Sequence, residues 1–254
     1  NTARQWQWAI SAWKNAGLTG AQAELVAKNE NERVAARIMG RYEERLAAYQ
    51  SVDFDDLIGL PLKLLGQFPE VRERWQAAMG HVLVDEYQDT NATQYEVLKH
   101  LVGERARFTA VGDDDQSIYG WRGATLDNLK RLPQDFPQWK LVKLEQNYRS
   151  TSAILRAANN VIEPNPKLYP KTLFSELGEG EPVRVLDADN EEHEADRMIA
   201  RIQSLRAGTA TTAGGVQYRE YKEFAILYRA NHMAKPFEKA LRRAQMPYKV
   251  SGGQ

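Results

Sequence analysis

Apolar positions in the first fifty residues recur at helical spacing. Trp6, Ile10 and Trp13 sit four and three residues apart, and Gly17 follows as a stop. "TGAQ", Thr19 to Gln22, has the form of a capping box opening a second helix. "ENERVAARIMGRYEERLAAYQ" (30–50) predicts a long charged helix with Val34, Ile38, Tyr42 and Leu46 on one face. A helical subdomain without chemistry of its own is the expectation for 1–50.

From about residue 52 the pattern changes. "VDFDDLIGLPLKLL" and "EVRERWQAAM" read as helices. Three β-like runs follow, at 81–86, 107–113 and 140–147, with helical patterns at 92–102 and 125–132 between them. This alternation predicts an α/β fold with a parallel sheet. Polar residues crowd the C-terminal ends of all three runs, the edge at which open α/β sheets bind ligands. A Pro-rich joint, "EPNPKLYPK" (163–171), leads to strand-like "PVRVLDA", helical "NEEHEADRMIARIQSL", strand-like "EFAILYR" and helical "NHMAKPFEKALRRAQ". Residues 206–217, rich in Gly, Thr and Ala, read as an aperiodic loop. The expected division is a helical part at 1–50, an α/β unit at 51–162, a linker at 163–179 and the start of a second α/β unit at 180–254.

Composition narrows the class only a little. Lys plus Arg (34) equals Asp plus Glu (34) over 254 residues, so a basic partner surface has to be local. The absence of cysteine excludes disulfides and thiolate metal sites and fits a reducing cytoplasm. No apolar run approaches the roughly 18–20 residues of a membrane span. The first residues show no signal-peptide core and no initiator Met, so the chain is expected to begin inside something larger.

Three stretches carry candidate chemistry. In "LVDEYQDT" (83–90) a strand runs into Asp85 and Glu86. A nucleotide hydrolase needs such a pair: a hard oxygen ligand for Mg²⁺, here Asp85, and a base to orient and deprotonate water, here Glu86. Two solvated acids ending a strand are the alternative. In "VGDDDQSIYGWRGA" (111–124), Gln116 can sense a terminal phosphate or its water. Tyr119 and Trp121 offer flat faces beside Arg122, the mixture used for stacking single-stranded bases; core packing is the alternative for the rings. In "LEQNYRS" (144–150), Arg149 can neutralise transferring phosphate charge, and Tyr148 can stack on a base such as adenine.

In this order and spacing, the three stretches resemble motifs II, III and IV of superfamily-1 DNA helicases of the UvrD/Rep/PcrA kind. "VDFDDL" upstream also matches, and 173–195 and "AILYRANH" are nearest the Rep type. The resemblance covers roughly 50–254. It extends with less specific residues to 1–50, as the tail of a helical insertion. It implies RecA-like, P-loop NTPase-type sheets with flanking helices, ATP and Mg²⁺, and a cytoplasmic setting without membrane. It also implies 3′-to-5′ translocation on single-stranded DNA with unwinding at duplex junctions. By motif, Asp85 would bind Mg²⁺ and Glu86 would be the catalytic base. Gln116 and Arg149 would contact the γ-phosphate, Tyr148 the adenine, and Tyr119, Trp121 and Arg122 the single strand.

The family's GxxxxGK[ST] loop is not found, since Gly-Lys occurs nowhere in the chain. The later motifs are not found either. The expectation is therefore a fragment, inactive alone and partnered by the rest of a helicase chain. A non-catalytic DNA- or protein-binding piece and the helicase subunit of a helicase–nuclease remain as alternatives.

Overall fold

The computed structural model describes residues 2–212, 215–216 and 218–251. It forms two compact units, Asn1–Val142 with Pro166–Pro170, and Lys143–Asn165 with Lys171–Gln254.

The first unit opens with α1 (Thr2–Asn15), α2 (Gly20–Val26) and α3 (Glu30–Ala48). Gly17 turns the chain at φ +76°. Gln22 N–H donates to the Thr19 hydroxyl and Thr19 N–H to Gln22 Oε1, the reciprocal cap expected. The buried face of α3 differs from the expected one. It carries Ala35, Ala36 and Met39, and Tyr42 is 38% exposed. The reason is close approach. A Cβ on Gly20 would lie 2.6 Å from the Gly40 amide nitrogen, so α2 meets α3 almost backbone to backbone and small side chains hold the contact.

Next come α4 (Asp56–Gln67) and α5 (Pro69–Ala78), then β1 (Val82–Val84), α6 (Ala92–Val102), β2 (Phe108–Ala110) and α7 (Asp127–Asp135). β1 and β2 pair in parallel, with Val82 opposite Phe108 and Val84 opposite Ala110. Those four residues face a core of Tyr87, Tyr95, Leu98, Val102, Leu129 and Leu132. Leu83 points the other way and is 80% exposed, so the pair is covered on one face only.

The run 140–147 is not a strand. Its only pairing among the described residues is an isolated parallel bridge between Gln146 and Phe174, inside the second unit. Nor are 182–188 and 223–229 strands: Val185 and Leu227 are 90% and 92% exposed. β-branched residues favour a strand only where a neighbour completes the ladder. Instead a short antiparallel pair, β3 (Thr211–Thr212) and β4 (Gly215–Val216), lies in the stretch read as loop. The helices of the second unit are α8 (Ser152–Ile162), α9 (Glu191–Arg206) and α10 (Ala234–Arg243). Ala195, Ile199 and Ile202 of α9 pack on Ala240 and Leu241 of α10. Among the described residues, no helix is long and apolar enough to cross a membrane.

Two stability predictions follow from the first unit. Gly20→Ala forces backbone apart and is expected to cost about 1–3 kcal/mol, read as a lowered Tm. Gly40→Ala meets nothing within 4 Å and, inside α3, is expected to be neutral or stabilising by up to about 1 kcal/mol. Equal losses from both would contradict the close approach. The second concerns Asp135, whose carboxyl accepts from the buried Tyr95 hydroxyl at 2.6 Å and pairs with Lys99 at 3.2 Å. The Tyr95 hydrogen bond, with help from Lys99 and Arg131, holds its pKa below the ordinary 3.8. A depressed carboxylate stabilises the fold above its unfolded pKa, and that stability is lost as pH falls through the folded value. Acid titration of Tm is therefore expected to be shallower below pH 3.8 in Asp135→Asn than in the unsubstituted chain.

Candidate functional site

The parallel pair delivers two turns to one edge. Val111 N–H donates to Val84 O at 2.8 Å and Tyr87 N–H to Val111 O at 3.0 Å, so the ladder continues past both strands into the turns. Asp85 and Glu86 stand at the end of β1, both exposed. Glu86 N–H donates to Asp85 Oδ1 at 2.9 Å. Glu86 itself adopts φ 49°, ψ 41°, a left-handed conformation that a residue with a Cβ rarely takes. The chain then tightens into a 3₁₀ turn, Tyr87–Asp89, whose Tyr87 and Gln88 are buried.

Gln88 is 1% exposed and has both ends of its amide engaged. Its Nε2 donates to Glu86 Oε2 at 2.7 Å, and its Oε1 accepts from Asp113 N–H at 3.0 Å, at the end of β2. Gly112 makes room for it: a Cβ there would stand 2.8 Å from Gln88 Oε1.

The second turn is scaffolded by its own carboxylates. Asp113 accepts from Asp115 N–H at 3.1 Å and from Gln116 Nε2 at 2.8 Å. Asp114 Oδ2 accepts from the amides of Leu168 and Tyr169, which draws 166–170 against the loop. Burial, and then the Asp114 charge, push the Tyr169 hydroxyl pKa up. One ligand atom each of Asp113, Asp114 and Asp115 lies within 4.8 Å of the others. Beyond Gln116 the loop carries Tyr119 and Trp121, whose ring centroids are 6.4 Å apart. Trp121 is 74% exposed. The side chain of Arg122 lies outside the described residues.

A buried polar cluster anchors the first turn from behind. Asn128, 1% exposed, donates to the carbonyls of Thr90 and Asn91 at 3.1 and 3.0 Å. Asn91 in turn donates to Asn15 Oδ1 at 2.7 Å, and Asn15 to Asp55 Oδ1 at 2.8 Å. Lys14, 8% exposed, reaches Asp53 and Asp56 at 2.7 Å each. The carboxylates of "VDFDDL" thus clamp the end of α1 to the turn that follows Glu86.

In the second unit, Asn147 Oδ1 accepts from Arg149 N–H at 2.9 Å and Ser150 N–H at 2.7 Å, a side-chain turn that leaves Tyr148 and Arg149 exposed. Tyr148 is 78% exposed, and its hydroxyl donates to Gln146 Oε1 at 3.1 Å. The structure therefore brings Asp85, Glu86 and Gln116 to one sheet edge in the first unit and sets Tyr148 and Arg149 on one turn of the second.

Sequence reasoning did not single out Gln88, Gly112 or Asp113 as residues that place others. Gln88 lies two residues after Glu86, and Gly112 and Asp113 stand at a strand end, but only the pairing register shows that they meet.

Comparison with known proteins supplies the family. Residues 1–137 match the UvrD/REP helicase N-terminal domain, and residues 142–254 the UvrD-like helicase C-terminal domain. The chain is 53% identical over 244 residues to the ATP-dependent DNA helicase Rep of Escherichia coli (strain K12), covering 96% of this chain and 35% of that protein. It is 40% identical over 244 residues to the ATP-dependent DNA helicase PcrA of Leuconostoc citreum, covering 96% of this chain and 32% of that protein. The chain spans about a third of the length of these relatives. With residues 1–137 matching one helicase domain and residues 142–254 another, the chain belongs to the UvrD/REP helicase family.

Proposed function

We propose that this chain forms part of an ATP-dependent DNA helicase that moves 3′ to 5′ on single-stranded DNA and unwinds duplex at junctions. One observation carries the reading. Parallel strands bring an Asp–Glu pair and a Gln-bearing loop to the same edge, and that loop continues to an exposed tryptophan. Residues 1–50 are then the end of a helical insertion, 51–162 the later half of a first RecA-like motor domain, 163–179 a linker, and 180–254 the start of a second.

The residues fit magnesium in kind: Asp85 offers an exposed carboxylate oxygen at the end of β1, the edge to which β2 also leads the loop carrying Asp113, Asp114 and Asp115. Bound there, Mg²⁺ would neutralise phosphate charge. Glu86 takes the proton of the attacking water on its carboxylate. Gln116 orients that water or the terminal phosphate. Arg149 offsets charge on the transferring phosphoryl group, and Tyr148 stacks on the adenine. Tyr119, Trp121 and Arg122 hold the single strand by stacking and charge. Gln116 sits between the two tasks, on the loop that begins at the acidic edge and ends at the aromatic rings. The chain carries no Gly-Lys phosphate loop, which favours a second reading for these 254 residues alone: a piece that contacts DNA or protein without hydrolysing ATP.

The reading makes three separable predictions. The 254 residues alone are expected to show no DNA-stimulated ATP turnover; turnover abolished by Glu86→Gln would contradict this. In the full-length protein, Glu86→Gln is expected to keep ATP binding and lose roughly 10²–10⁴ in turnover, the range for removing a general base. Asp85→Asn is expected instead to weaken nucleotide affinity and raise the Mg²⁺ concentration required. A fully active Glu86→Gln enzyme would remove Glu86 from the mechanism. For Trp121→Ala in the same protein, the expected loss is in single-strand affinity, by roughly 1–3 kcal/mol. DNA-free ATPase and Tm should hold, because a residue 74% exposed contributes little to packing. A large fall in Tm would make Trp121 a packing residue after all.

A further inference from the structure

We propose that Gln88 is a positioning residue that ties the general base Glu86 to the DNA-side loop through Asp113. The inference rests on the reading of Glu86 given above.

The geometry is a chain of three hydrogen bonds. Glu86 Oε2 accepts from Gln88 Nε2 at 2.7 Å, Gln88 Oε1 accepts from Asp113 N–H at 3.0 Å, and Asp113 Oδ2 accepts from Gln116 Nε2 at 2.8 Å. Two features make the middle link unusually determined. Gln88 is buried to 1% exposure, so losing either bond would strand a polar atom away from water. Gly112 approaches it so closely that a methyl group would fall 2.8 Å from its carbonyl oxygen. Glu86 needs such a tether, because its backbone is left-handed at φ 49° and its carboxylate stands at an exposed turn. An untethered glutamate there would sample several rotamers, and a base must lie within hydrogen-bond reach of the water it deprotonates. The amide donates to one carboxylate oxygen, which fixes the rotamer and leaves the other oxygen for the water. Because the far end of the amide is held by the amide of Asp113, a shift of the loop that carries Gln116 and Trp121 moves Gln88, and with it the base. Binding of a strand at the aromatic end thereby adjusts the position of Glu86.

Steady-state ATPase of the full-length protein, with and without single-stranded DNA, tests this together with Tm, with Glu86→Gln measured alongside. Gln88→Met is expected to lower kcat by roughly 10²-fold, the scale of a small misplacement of a reacting group, with KM for ATP unchanged. A merely structural glutamine predicts instead that kcat, KM for ATP and Tm change together in Gln88→Met. Gly112→Ala displaces the amide without touching Glu86 and is expected to lower kcat and the stimulation by DNA together. It decides alone if the buried substitution fails to fold, since Gly112 is exposed and its φ suits alanine. An inactive Glu86→Gln beside Gly112→Ala with unaltered kcat and DNA stimulation, or beside a folded Gln88→Met with unaltered kcat, would overturn the tether and leave the base in place. An active Glu86→Gln would overturn the base assignment and the tether with it.

Discussion

The first unit depends on the parallel pairing of Val82–Val84 with Phe108–Ala110. A parallel ladder places the C-terminal ends of its strands side by side, so whatever follows each strand shares one edge. Here the ladder runs on through the amides of Val111 and Tyr87, and the two turns leave the sheet already bonded to each other. Asp85 and Gln116, thirty-one positions apart in sequence, become neighbours in topology for that reason alone. The core of Tyr87, Tyr95, Leu98 and Leu129 holds the covered face of the pair in register.

Behind the acidic turn lies a second kind of constraint, made of buried and half-buried amides. Asn128, Asn91, Asn15 and Gln88 satisfy backbone and side-chain groups that the turn would otherwise bury unpaired. Such a cluster adds little net stability per bond, but each missing partner costs the full desolvation of the group left behind. That asymmetry makes the turn specific in shape. It also explains how Glu86 is kept in a left-handed conformation that its own side chain disfavours. The loop 111–124 has the opposite character, with exposed Ile118 and Trp121. In the proposed motor the rigid turn does the chemistry and the exposed loop meets the strand.

Much of this was legible in the sequence because it is local. The caps at Thr19 and Gly17, the helix at 92–102, and the strand that runs into Asp85 and Glu86 are each written within a few residues. The run at 140–147 and the segments at 182–188 and 223–229 were misread because their apolar alternation promises a strand only when a neighbour supplies the ladder. Leu144, Val185 and Leu227 stand 78%, 90% and 92% exposed instead. The face of α3 was misread because the sequence rewards large apolar residues, whereas a backbone-to-backbone contact at Gly20 selects Ala35 and Ala36. Gln88 was passed over because its two partners come from different motifs, and no spacing rule within "DEYQDT" announces a bond to the amide of Asp113.

The central claim is that one loop links nucleotide to DNA through Gln116, and linkage gives it a direct test. If nucleotide changes DNA affinity, DNA must change nucleotide affinity by the same factor. The measurement is the single-stranded DNA Kd of the full-length protein, with and without a non-hydrolysable ATP analogue, for the unsubstituted protein and for Gln116→Ala. The account predicts a shift in Kd on adding the analogue that disappears in Gln116→Ala while DNA binding itself survives. A shift of the same size in both proteins would contradict it.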